Sequence, residues 1–380
     1  MKEKAIFVTG GTGFVGSNIV EKIAETEKKV PIFVLIRSNH FSASERMSRI
    51  MPNFKGLVIE GDVCMPGLGI NKKDKCLLSN YDVEVWHAAG SISFDDLEAE
   101  LTFLINVGGT QNVLSFMKEM GFSTLHYVST AYVAGDRRQL KGKNKIAYEY
   151  EDDIGQNFHN PYEESKLRAE MLVKKLTNEF GLKTNIYRIG VAVGDSKTGK
   201  ATSFSGYYAY MQRFKALRDK FFQNGKISSP VKIIIPSEAT VNISCIDYLI
   251  QIMLRLAREP ASVGKVFNVV NPNPPRTAWL VEKSMQCLGL GIDRVEVLTE
   301  ANGCQQSELE VKINRMLSYY QDYTKINLRF DSTNVKSVLG ELPEHPQVNE
   351  KLIYKLLTYA FSKNFGKPKF EKLVSKNLVP

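Results

Sequence analysis

Tyr162 and Lys166 stand four residues apart in the stretch Asn160-Pro161-Tyr162-Glu163-Glu164-Ser165-Lys166. Past Pro161 the chain can be helical, and the i, i+4 spacing sets both side chains on one helix face. An ammonium beside a phenol favours the phenolate, which lowers the phenol pKa from its free value near 10. Such a tyrosine can shuttle a proton near neutral pH, as a general acid must. A third group, the hydroxyl of Thr130, closes the run Thr124-Leu125-His126-Tyr127-Val128-Ser129-Thr130. From the exit of a strand it can hydrogen-bond the same substrate oxygen. A tyrosine and a lysine on one helix also occur as a plain surface pair. The catalytic reading of Thr130, Tyr162 and Lys166 therefore depends on what else the chain assembles.

The second chemical feature is Thr9-Gly10-Gly11-Thr12-Gly13-Phe14-Val15-Gly16. It follows the apolar run Ala5-Ile6-Phe7-Val8 and opens a stretch with helical spacing (Phe14, Val15, Ile19, Val20, Ile23). Strand, glycine turn and helix in that order form a dinucleotide cradle. Gly10 permits the turn, Gly13 lets backbone approach a pyrophosphate, and Gly16 lets helix and strand pack closely. The helix N-terminus then offers free N–H groups and a positive dipole end to the phosphates. A second strand, Pro31-Ile32-Phe33-Val34-Leu35-Ile36, ends in Arg37. An acidic residue there would bind the ribose hydroxyls of NAD, whereas arginine accommodates the 2′-phosphate of NADP. Arg37, helped by Arg46 or Arg49, thus points to NADPH; the plain alternative is an exposed strand-end arginine. Asp62-Val63, after the third strand, is placed to flank the adenine. Ala88-Ala89, after the fourth strand Val83-Glu84-Val85-Trp86-His87, lets backbone come close to the cofactor.

These elements alternate strand with helix, which reads as βαβ units and a parallel sheet. The expected fold class is α/β: a Rossmann-type doubly wound sheet with a smaller, mostly helical C-terminal substrate domain. The cofactor domain is expected over 1–200, with 236–270 returning to it; 201–235 and 271–380 form the substrate domain. The run Thr184-Asn185-Ile186-Tyr187-Arg188-Ile189-Gly190-Val191-Ala192-Val193 reads as the sixth strand. It enters Gly194-Asp195-Ser196-Lys197-Thr198-Gly199-Lys200-Ala201, a near match to a P-loop. Ala201 replaces the hydroxyl that would hold Mg²⁺, so the stretch reads better as a loop over the nicotinamide. Residues 203–227 are rich in aromatics (Phe204, Tyr207, Tyr208, Tyr210, Phe214, Phe221, Phe222), as core or as a substrate wall.

With 380 residues, 43% hydrophobic and 24% charged, the composition is that of a globular protein of about two domains. No apolar run approaches the roughly 18 residues of a membrane span. The first strand starts a few residues after Met1, leaving no room for a signal peptide. The five cysteines (Cys64, Cys76, Cys245, Cys287, Cys304) and five histidines make no metal-ligand spacing. A reduced, cytoplasmic protein without a metal is expected. Residues 351–380 carry +6 of the net charge of +9. Leu352, Ile353, Leu356, Leu357, Ala360 and Phe361 recur at helical spacing, so 351–363 can form an amphipathic helix. Lys367, Lys369, Lys372 and Lys376 beyond it would attract an acidic protein partner or an anionic membrane surface. No aromatic–basic interleaving points to nucleic acid.

Together these features resemble the extended short-chain dehydrogenase/reductase superfamily. The resemblance rests on T-G-x-x-G-x-x-G at 9–16, Asn106 in N-V-x-G-T, Ser129-Thr130 and Y-x-x-x-K at 162–166. The chain is most similar to the thioester reductase and fatty acyl-CoA reductase branch, called male-sterility-like. Val128-Ser129-Thr130-Ala131-Tyr132-Val133, Tyr187-Arg188-Ile189-Gly190, the 194–199 loop and Phe330-Asp331-Ser332-Thr333-Asn334 carry that closer likeness. Ile189 stands where the branch usually has proline. The resemblance implies NADPH-dependent reduction of an acyl thioester carried on CoA or an acyl carrier protein, to the aldehyde and then the alcohol. In it Tyr162 supplies the proton, Thr130 steadies the oxyanion, and Lys166 binds the nicotinamide ribose; Asn106 and Ile189 join the cofactor site. A ketone, aldehyde or sterol-type dehydrogenase and a sugar-nucleotide epimerase or dehydratase share the catalytic trio. The epimerases generally hold NAD, which Arg37 opposes. A non-catalytic NADP sensor would be expected to lose Tyr162 or Lys166, and both are present.

Overall fold

The computed structural model describes residues 2–140, 142, 145–219, 230–291, 295–300, 307, 310–311 and 322–366. Seven strands form one parallel sheet: β1 (Glu3–Thr9), β2 (Ile32–Ile36), β3 (Leu57–Glu60), β4 (Tyr81–His87), β5 (Thr124–Thr130), β6 (Lys183–Ile189) and β7 (Val266–Val269). Their order across the sheet is β7-β6-β5-β4-β1-β2-β3. The chain reverses its direction of travel between β1 and β4, and ligands bind in the crevice beyond the carboxyl ends at such a switch point. Register is set by the apolar runs: Phe7 of β1 lies opposite Phe33 of β2 and Val85 of β4. Every residue of β2 is buried, as a strand covered on both faces requires.

Helices cover both faces. In chain order they are α1 (Phe14–Thr26), α2 (Ala43–Ile50), α3 (Lys72–Leu78), α4 (Ala99–Phe103), α5 (Gly109–Met120), α6 (Pro161–Phe180), α7 (Tyr207–Leu217), α8 (Ile246–Arg258), α9 (Thr277–Cys287), α10 (Thr333–Leu339) and α11 (Glu350–Ser362). Ile19 and Ile23 of α1 pack with Leu249 and Met253 of α8 on one face of the sheet. Val113 and Met117 of α5 pack with Ala169 and Val173 of α6 on the other. A third core joins α7, α9 and α11 beyond the strand ends, around Met211, Phe214, Leu280 and Leu356.

One expected strand is in fact two. The run 184–193 breaks at Gly190, and Val191–Val193 leaves the main sheet to pair with Ile243–Cys245. A Cβ on Gly190 would lie 2.5 Å from the Asn242 side-chain oxygen, so only glycine admits the second pairing so close by. The 194–200 loop is also not where the sequence suggests. Ser196 hydrogen-bonds Asp247 of α8, and the Lys355 ammonium of α11 donates to the Ser196 carbonyl. That loop fastens helices; residues 202–206 border the crevice instead. The amphipathic stretch 351–363 does form a helix, α11, and buries its apolar face in the third core. Arg329–Phe330 pairs with Ile146–Ala147, and Asn334 hydrogen-bonds Glu149 and the Val266 carbonyl, tying the late segment to the β7 edge. Phe221, Phe222, Cys304 and Lys367, Lys369, Lys372 and Lys376 lie outside the described residues. No helix among the described residues is long and apolar enough to cross a membrane.

Candidate active site

A cavity of about 490 Å³ opens at the carboxyl ends of the strands. It runs from Thr12, Gly13, Phe14, Val15 and Gly16, past Ala88, Thr130 and Tyr162, to a wall of Tyr207, Tyr210, Met211, Leu280 and Val281. None of the described residues lining it carries a formal charge.

The turn end is built from backbone. Gly10 has φ +72°, and a Cβ there would lie 2.5 Å from the Ala89 nitrogen. A Cβ on Gly16 would lie 2.2 Å from the Gly10 carbonyl oxygen. Gly13 is the N-cap of α1, and no side chain caps that helix. Its first N–H groups are therefore available, and the contour leaves room for a phosphate to approach them, as a dinucleotide requires. Thr9 stands behind this contour: its buried hydroxyl bonds the ring of His87 at 2.7 Å and receives the Ala89 N–H at 3.4 Å. Beyond β2 and β3, Arg37 lies 3.5 Å from Asp62, its side chain 61% exposed. Arg46 donates to the Arg37 carbonyl, and the second oxygen of Asp62 holds the Cys64 N–H. Val63 packs under Gly109 at the start of α5. Arg37, Arg46, Asp62 and Val63 thus cluster at one edge of the crevice, and the Arg37 guanidinium reaches solvent.

The catalytic end is built from buried side chains. Asn160 caps α6 by accepting the Glu163 N–H, and Pro161 starts the first turn. That turn delivers Tyr162 to the cavity beside Thr130, whose hydroxyl favours the phenolate of Tyr162. Thr130 also accepts the Tyr132 N–H at 3.2 Å. Lys166 sits one turn on, but its ammonium does not meet Tyr162. It donates to the Tyr127 hydroxyl at 2.7 Å and to the Val128 carbonyl at 2.8 Å. The expectation that Lys166 lowers the Tyr162 pKa therefore fails in this structure. Burial pushes Tyr162 up to about 12, the Thr130 hydroxyl opposes that in part, and the Glu163 carboxylate adds to it. Burial also brings Lys166 down to about 7, against the pull of Glu170. Tyr162 accordingly stays protonated at neutral pH, able to donate a proton but not to act as a resting phenolate.

Asn106 differs from the cofactor contact expected of it. It is buried in the π-helical turn Leu104–Gly108, and its amide is used within the protein. Its oxygen accepts the Ser91 N–H, and its nitrogen donates to the Ser91 carbonyl and to Ser165 on α6. Thr110, one turn on, donates to the Asn106 carbonyl at 2.6 Å and so accepts from His87 Nε2. His87 Nδ1 then accepts from Thr9. Burial depresses His87 to about 3, so the ring is neutral. A buried chain of hydrogen bonds thus joins the end of β1 to the catalytic helix. Ile189 lines the cavity at the end of β6.

Several lining residues carried no legible signal. Phe94 packs on Tyr162, with ring centroids 6.0 Å apart, and stacks on Tyr323 at 5.4 Å. Tyr323 accepts from Asn160 and donates to the buried Glu163, which also holds His159. Burial pulls His159 down, but the Glu163 carboxylate prevails and holds it above its ordinary value. Thr277, Leu280 and Val281 arrive from α9. Apolar helix positions look alike in sequence whether they face a core or a cavity. Tyr207 and Tyr210, read either way, do both.

The sequence model of the male sterility protein family matches residues 8–253. The chain belongs to that family. It is 26% identical to the fatty acyl-CoA reductase wat of Drosophila melanogaster over 228 residues, which cover 50% of this chain and 43% of that one. It is 24% identical to the nonribosomal peptide synthetase asaC of Aspergillus flavus over 314 residues, 77% of this chain and 29% of that one. The chain thus spans less than half the length of these curated relatives. Among solved structures, the terminal R domain of the myxalamid PKS-NRPS pathway superposes with a TM-score of 0.74 at 23% identity, covering 96% of this chain and 92% of that one. A thiolation-reductase di-domain from an archaeal non-ribosomal peptide synthetase gives 0.67 at 20% identity, covering 97% and 77%. These two share the fold described above, as does the UDP-glucose 4-epimerase of Thermotoga maritima at 0.62 and 19%, covering 95% and 99%.

Proposed function

We propose that the protein is an NADPH-dependent reductase of acyl thioesters carried on CoA or an acyl carrier protein. The observation that carries the reading is one cavity, uncharged among the described residues, joining the glycine turn to the Thr130–Tyr162 pair. Gly13 and the N-terminus of α1 would hold the pyrophosphate, Arg37 and Arg46 the 2′-phosphate, Asp62 and Val63 the adenine, and Lys166 the nicotinamide ribose. When bound, the reduced nicotinamide supplies hydride to the acyl carbon. Tyr162 gives its proton to the acyl oxygen while Thr130 steadies that oxygen. Collapse of the resulting hemithioacetal breaks the C–S bond and releases thiol and aldehyde; a second round gives the alcohol.

Curated relatives named as a fatty acyl-CoA reductase and as nonribosomal peptide synthetases support a thioester substrate. A sugar-nucleotide epimerase fits less well, because a diphosphate on the substrate calls for a cationic partner and none of the described lining residues supplies one. The lysines at 367–376 are proposed to meet an acidic carrier protein on encounter, in a cytoplasmic setting. That attraction is screened beyond about 8 Å at physiological salt, so truncation after Phe365 should raise KM for a carrier-bound thioester at low salt only. The test of the whole reading is NADPH oxidation by purified protein with acyl-CoAs, acyl carrier thioesters, aldehydes, ketones and UDP-sugars. Turnover of thioesters with release of thiol is expected; turnover of ketones or UDP-sugars with none on thioesters would overturn it.

A further inference from the structure

Lys166 is an ammonium inside the protein, 5% exposed, and no carboxylate among the described residues pairs with it. Glu170, one turn further along α6, is the nearest candidate, but both its oxygens hold Arg188, Oε1 at 3.2 Å and Oε2 at 2.9 and 2.7 Å. A buried charge without a counter-ion is costly unless polar acceptors replace the water it lost. Here the acceptors lie on β5. The Tyr127 hydroxyl and the Val128 carbonyl take two of the three ammonium protons. The ammonium also lies 4.2 Å from the centre of the Tyr127 ring, a cation–π distance. Tyr127 is fully buried and its ring packs against His87, so the hydroxyl has one orientation to offer.

We propose that Tyr127 is the positioning residue for Lys166, holding the lysine against β5 so that one ammonium proton is left for the cofactor ribose. The inference rests on the role assigned to Lys166 above. Nothing in the glycine turn or the Y-x-x-x-K spacing requires an aromatic residue three positions before Thr130. A phenylalanine would fill the same core space. The hydroxyl is explained by the lysine it meets.

The test is a double-mutant cycle of Tyr127→Phe and Lys166→Met, read by kcat, KM, NADPH affinity from fluorescence quenching, thermal unfolding, and the titration of 13Cε-labelled Lys166 in the cofactor-free protein. Loss of a hydrogen bond to a charged group is typically worth about 10-fold or more. With Val128 still in place, Tyr127→Phe should lower kcat about 10-fold, change KM for the thioester less than about threefold, and leave Tm nearly unchanged. In the Lys166→Met background the same substitution should cost less than about twofold, because partners in one interaction are not additive. The Lys166 resonance should titrate at lower pH in Tyr127→Phe, with Glu170 and His87 still near the ammonium. Multiplicative losses, or an unchanged Lys166 titration, would overturn the proposal. If Lys166→Met keeps near-full turnover, the role given to Lys166 fails instead, a separate result.

Discussion

The two ends of the cavity are made of different material. At the turn end the contour is backbone: Gly10 in a left-handed conformation, Gly16 against the Gly10 carbonyl, and the uncapped start of α1. At the catalytic end the contour is side chain, and burial shifts Tyr162 and Lys166 away from their behaviour in water. Tyr162 is pushed up to about 12 and Lys166 down to about 7, while Glu163 is buried among Tyr323 and His159. The comparison teaches that a motif written in glycines fixes geometry directly. A motif written in titratable residues fixes only position, and the chemistry follows from what surrounds them.

That contrast can be broken at either end. The largest effect belongs to the catalytic end: Tyr162→Phe should lower kcat by about 10²–10⁴, the usual worth of general acid catalysis, with NADPH affinity within about threefold. Steady-state rates beside fluorescence titration check it, and near-full turnover would leave the cavity without its proton donor. At the turn end, Arg37→Ala should weaken NADPH roughly 10- to 150-fold while sparing NADH, the size expected for a lost charge-assisted contact. Equal losses for both cofactors would mean that Arg37 supports the loop through Asp62.

The next prediction sharpens the backbone half. Gly16→Ala forces a Cβ to within 2.2 Å of the Gly10 carbonyl oxygen, and such overpacking costs about 1–3 kcal/mol. Calorimetry should show a lower Tm even without cofactor, whereas Tyr162→Phe should leave Tm nearly unchanged. An unshifted Tm in Gly16→Ala would mean that the turn relaxes freely. The smallest effect is in pH. Lys166 is charged below about 7 and neutral above it, so a rate that needs its ammonium is full on the acid side and declines as pH rises. Log kcat/KM, which reports the free enzyme, should bend downward near pH 7, with kcat/KM about fourfold below its acid plateau by pH 7.5. Lys166→Arg, whose guanidinium stays charged throughout, should remove that bend even if its overall rate is lower.

The positions of β1 to β5 and of β7 were legible in the sequence because each is an apolar run bounded by turn residues or by a helix with its own spacing. The failures are instructive for being local. Residues 184–193 read as one continuous strand, and nothing within them announces that Asn242 will crowd Gly190 and divert the last three residues into a second pairing. The 194–200 loop looked like a cover because glycines near a strand end suggest ligand contact; its partners are Asp247 and Lys355, more than 45 residues away in sequence. Asn106 was placed near the cofactor on its motif, but its side-chain hydrogen bonds go to Ser91 and Ser165.

By itself the sequence determined the strand–turn–helix cradle, the placement of Arg37 at the end of β2, and the shared helix face of Tyr162 and Lys166. Each depends on residues close in the chain, whose geometry is set by φ, ψ and helical or strand periodicity. The tertiary structure alone decided that Lys166 turns to Tyr127 and not to Tyr162, and that Glu163 is buried under Tyr323. It alone decided that α7 and α9 close over the crevice a cavity uncharged among the described residues. Those outcomes depend on which distant groups share the interior, where removal of water sets the cost of every charge and every unmet hydrogen bond.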